Sequence, residues 1–140
     1  MFSRLFKRAM PFEEVLAKTK LLLSNQIQYL EQNNKGYEYR LGQKGIYYIL
    51  CLAEAIANRS IDDKELLTIV SGCFQDEKAT MIFNHYVATK RHMSAHIKFK
   101  NEMEPIASKD VKNGSSQSSN FLVEHDEYVK IEIAKKFESA

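Results

Sequence analysis

The chain has no tryptophan, and only two prolines, five glycines and two cysteines among its 140 residues. Glycine and proline together make up about 5% of it against roughly 12% in average usage, which argues against a turn-rich sandwich or barrel. Cys51 and Cys73 each lie inside an apolar stretch, with no CxxC or other metal-ligand spacing, and read as buried free thiols. Long hydrophobic runs are missing too. The longest, residues 46–53, falls far short of the roughly 20 residues a membrane span needs, and no secretory signal is visible, so a reducing cytoplasm is the expected compartment. Charge of one sign is also lacking: 20 Lys and Arg face 18 Asp and Glu, a net +2, too weak to mark nucleic acid as a partner for the whole chain. The small excess sits in residues 1–60, with nine positive and five negative side chains.

What is present is helical periodicity. Phe12, Val15, Leu16, Leu22, Leu23, Ile27 and Leu30 share one stripe over residues 11–34, with Pro11 at the start, Glu13 and Glu14 on the positive end of the dipole, and Asn33, Asn34 and Gly36 as a stop. A second helix ends at Asn58 and is apolar almost all round, which places it at the centre of a bundle. Ser60 is the expected cap of a third helix ending near Gly72. Asp76 is the expected cap of a fourth that runs over 77–103 and stops at Pro105.

The predicted fold is therefore all-α, with a four-helix bundle-like core over 11–107 and a basic amphipathic arm over 1–10. A flexible Ser-rich linker over 108–120 tethers a C-terminal amphipathic helix over 121–140. In that last segment Leu122, Val129, Ile133 and Phe137 fit a helical face, although Val129, Ile131 and Ile133 also fit strand alternation.

Three patterns carry potential chemistry. His85, His92 and His96 fall within about 40° of one direction on an ideal helix, and two imidazoles four residues apart can share a metal. The glutamate of HExxH is absent after His92, which argues against a hydrolytic zinc site. One helix seldom closes a metal site alone, so boundary histidines are the preferred reading and no cofactor is expected. On the central helix Tyr47, Cys51, Glu54 and Asn58 form one polar stripe that faces water, a partner or a site; Cys51 has no histidine nearby in sequence to activate it. The arm places Phe2, Leu5 and Phe6 at helical spacing with Arg4, Lys7 and Arg8 between them and no acid, the composition of a partner-docking or membrane-surface helix.

The segment AIANRSIDDKE, residues 55–65, resembles the helix-turn-helix of tellurite-resistance TerB-type domains over about eleven residues. Ile61 and Glu65 match that pattern, whereas Asn58 and Arg59 stand where the family has Asp and Gly.

The expected function is a non-enzymatic protein-interaction module, an adaptor, chaperone-like or regulatory protein, docking a protein partner or a second copy through helical surfaces and terminal arms. One alternative is a nucleic-acid-binding regulator, favoured if Arg4, Lys7, Arg8, Arg40, Lys90 and Arg91 cluster on one surface. Acidic Asp76 and Glu77 would open the reading helix of such a protein and repel phosphate. The other alternative is a metal-binding helical protein using the histidine face. Peripheral membrane contact through the arm would need a second anchoring signal.

Overall fold

The computed structural model describes residues 10–32 and 43–113; the basic arm, Arg40 and the C-terminal segment 121–140 lie outside the described residues. Among those described the fold is all-α, as the composition predicts, with five helices and no strand. They are α1 (Phe12–Gln32), α2 (Gln43–Ala57), α3 (Asp63–Cys73), α4 (Asp76–Lys90) and α5 (Met93–Asn113).

The all-round apolar helix is central. Every residue of α2 from Ile46 to Ala53 is buried, and α2 packs most extensively on α5, then on α1 and α4. Against it α1 lays Val15, Leu22 and Leu23 and α4 lays Ala79, Ile82 and Tyr86, while α3, packed on α1 and α4, adds Leu66, Ile69 and Val70, all buried in one continuous core. Removing each large apolar side chain from water contributes roughly 1.5–3 kcal/mol, the main term opposing chain entropy. Gly72 does not end α3 but lies inside it, where a Cβ would approach Leu16 Cδ1 to 3.3 Å; its missing side chain lets α3 close on α1.

Two expectations about the second half are corrected. The helix expected over 77–103 is two helices, because the chain turns at Arg91 and His92. Thr89 Oγ1 donates to the His85 carbonyl at 2.9 Å, and the His92 amide bonds the Thr89 carbonyl at 2.9 Å, a tightened final turn. A straight helix from Asp76 to Asn113 would reach roughly 57 Å, more than twice the span of α2, and most of it would leave the core. Pro105, expected to stop a helix, lies inside α5, which continues to Asn113 across the expected start of the linker. Proline costs a helix interior about 3 kcal/mol. Pro105 and Asn101, whose carbonyl loses its amide partner, are both exposed to water, while Met103, Ala107 and Asp110 are almost fully buried and hold α5 to the core.

Candidate functional site

The α2–α3 corner is built from local chemistry. Asn58 takes a left-handed φ of 57° just past α2, and the Arg59 amide bonds back to the Glu54 carbonyl at 3.3 Å, a Schellman-type stop with asparagine where glycine is commonest. The cap of α3 is Asp62 rather than Ser60. Asp62 Oδ1 accepts from the Glu65 amide at 2.8 Å and the Asp62 amide donates to Glu65 Oε1 at 3.2 Å, a capping box that the spacing Asp-x-x-Glu at 62–65 already spelled out. Arg59 clamps both oxygens of Glu65 at 2.9 and 2.6 Å and holds its carboxyl down at about 2. The two residues matching the TerB-type pattern thus have structural tasks: Glu65 closes the box, and buried Ile61 donates its amide to Glu54 Oε2 at 3.0 Å.

Of the polar stripe, Tyr47, Cys51 and Glu54 meet α5, whereas Asn58, just past α2, is exposed. Tyr47 is fully buried, its hydroxyl 2.5 Å from His96 Nδ1 and its ring against Tyr86, His96 and Phe99. One turn on, Cys51 Sγ donates to the Lys100 carbonyl at 3.7 Å, and Glu54 Oε1 pairs with Lys100 Nζ at 3.4 Å. Burial, reinforced by Glu54, pushes the Cys51 thiol up to about 12, so it stays protonated and unreactive at neutral pH. Burial likewise pushes the Tyr47 phenol up to about 12. His96 is driven the other way, below its usual range, by burial and then by the Lys100 and Lys90 ammonium groups, with Asp63 and Glu54 opposing. With the phenol protonated and the imidazole neutral, the bond runs from Tyr47 to Nδ1 when the ring proton is on Nε2 and from Nδ1 to Tyr47 when it is on Nδ1. On the far side of the helix Tyr48 donates to buried Asp110 at 2.5 Å.

Along this seam opens a cleft of about 610 Å³ between the 60–62 loop, the start of α3, and the facing sides of α2, α4 and α5. Glu54, Asp63, Tyr86, Lys90, His96 and Lys100 line it. Asp63 Oδ1 accepts from Lys90 Nζ at 2.8 Å and from the Tyr86 hydroxyl at 3.3 Å, and Lys90 stands 5.7 Å above the Tyr86 ring. Glu54, Ser60 and Lys100 also line a second recess of about 460 Å³ that reaches Cys51 and Asn58. A third hollow differs in kind. It is a mostly apolar groove of about 280 Å³, lined by Met10, Lys18, Leu21, Leu22, Ile56 and Val111, with Leu21 61% exposed.

The structure separates the three histidines that the helical wheel aligned. His85 belongs to α4, His92 occupies the exposed turn, and His96 faces Tyr47. Among the described residues no group of three or more His, Cys, Asp or Glu side chains is placed to hold a metal. Lys90, one of the basic residues whose clustering would favour the nucleic-acid alternative, is paired with Asp63. The encounters of Tyr47 with His96 and of Cys51 with the Lys100 carbonyl were invisible in sequence, since a 49-residue separation carries no register. No described helix is long and apolar enough to cross a membrane. No protein-family model, no curated protein and no solved structure matches this chain.

Proposed function

We propose that this chain is a non-enzymatic protein-interaction module, an adaptor or regulatory protein, that seats an acidic amphipathic helix of a partner protein in the apolar groove beside Leu21. The observation that carries this reading is continuity. Met10, the last residue of the basic arm, and Val111, near the end of α5, line the same groove, so the first described residue and the end of α5 border one apolar hollow. Leu21 stays mostly in water there, a large apolar side chain whose burial by a partner is worth about 2 kcal/mol.

Charge selects the partner's character. Lys18 lines the groove, and Arg4, Lys7 and Arg8 precede Met10 in the sequence with no acid among them, a charge that favours an acidic helix over a basic one. Cys51 and Cys73, both free thiols, agree with a reducing cytoplasm as the setting.

A photo-crosslinking residue at position 21 of the full chain, activated in the native host, tests the reading. Crosslinks to an acidic amphipathic helix of another protein, lost when Phe2 and Phe6 are changed to Ser, are the expected result. Crosslinks to residues 1–9 or 121–140 of the same chain would show a self-filled groove, and crosslinks between two copies a homodimer; either would overturn it.

A further inference from the structure

The charged cleft divides its signs by element. On the α2–α3 side stand Glu54, Asp62 and Asp63 against one ammonium, Lys64; on the α4–α5 side stand Lys90 and Lys100 with a neutral His96 and no acid. One wall is therefore two charges negative and the other two positive. The walls are bridged by Lys90–Asp63 at 2.8 Å and Lys100–Glu54 at 3.4 Å, pairs whose members remain in contact with water and are weak enough to exchange for a ligand. A simple anion entering here meets Asp63 and Glu54, and a simple cation meets both lysines. A molecule carrying both signs satisfies both walls.

We propose that this cleft binds a small amine–carboxylate zwitterion of the free amino acid class, its ammonium on Asp63 and Glu54 and its carboxylate on Lys90 and Lys100. A volume of about 610 Å³ lies in the range of small-molecule pockets. Leu50, Ile61 and Tyr86, which also line the cleft, offer apolar surface to the ligand's side chain. Nothing in this assignment depends on the Leu21 groove.

The test follows the His96 imidazole resonances of the full chain at pH 7, assigned with His96→Gln, during titration with glycine and L-leucine. Isovalerate and isoamylamine, each with leucine's side chain and one of its two charges, serve as controls. A saturable shift is expected with the amino acids, with each half-ligand about tenfold weaker or more. Lys90→Met and Lys100→Met, at partly exposed positions, are expected to weaken L-leucine severalfold while keeping a native spectrum. Isovalerate binding as well as L-leucine would reduce the site to a plain anion site. That result, the absence of a saturable shift with either amino acid, or unchanged binding in both lysine variants would overturn the proposal.

Discussion

The charged cleft, of about 610 Å³, and the apolar groove, of about 280 Å³, are built from opposite materials. In the cleft nearly every polar group answers another: Lys90 and Tyr86 converge on Asp63, Lys100 and the Ile61 amide on Glu54, Tyr47 on His96. In the groove Leu21 is exposed beside Met10 and Val111, and among the described lining residues only Lys18 is charged. Unburied apolar surface gains free energy from association, whereas satisfied ion pairs gain little. The difference puts the expected stability in the seam behind the cleft and leaves the groove as the proposed site of partner binding.

Tyr47→Ala breaks that comparison most severely if it is right. Deleting a fully buried aromatic ring that touches Tyr86, His96 and Phe99 is expected to cost about 3–5 kcal/mol in urea unfolding. Leu21→Ser is expected to move the same midpoint by no more than about 0.5 kcal/mol, yet to weaken partner association about tenfold or more. A large stability loss at Leu21 with intact association would reverse the two assignments.

Asp62→Ala removes the side-chain half of the capping box, and a loss of about 1 kcal/mol is expected from thermal melts. Ser60→Ala, at the position first expected to cap α3, should change stability by far less.

The smallest expected effect is linked to pH. Because the folded His96 has a lower proton affinity than an unfolded histidine, the unfolded chain binds more protons below about 6.5 and stability falls as acid is added, levelling off once pH drops below the folded value. Glu65 adds a second decline, from about 4.5 down to about 2, as its clamp on Arg59 is protonated. Melting temperature against pH checks both: His96→Gln should flatten the upper decline and Glu65→Gln the lower.

Local chemistry was legible and tertiary placement was not. The apolar circumference of α2 announced a central helix, and the Asp-x-x-Glu spacing at 62–65 held the true cap of α3, obscured by Ser60 two residues earlier. Nothing near Arg91 and His92 signals a break, because no glycine or proline stands there; the bend answers the need to fold a long helix back over a short one. Pro105 misled for the complementary reason, since burial of Met103 and Ala107 outweighs one lost hydrogen bond facing water. The spacing of Tyr47, Cys51 and Glu54 put them on one stripe of α2. Its direction toward α5 depended on a partner helix that periodicity cannot place.

Hydrogen exchange of the full chain, measured free and with its captured partner, tests the central claim most directly. The account predicts new protection in residues 10–22 and 106–111, around the Leu21 groove, with amides of 60–64 and 90–100 unchanged. Protection confined to the cleft segments, with the groove exchanging as in the free chain, would contradict it.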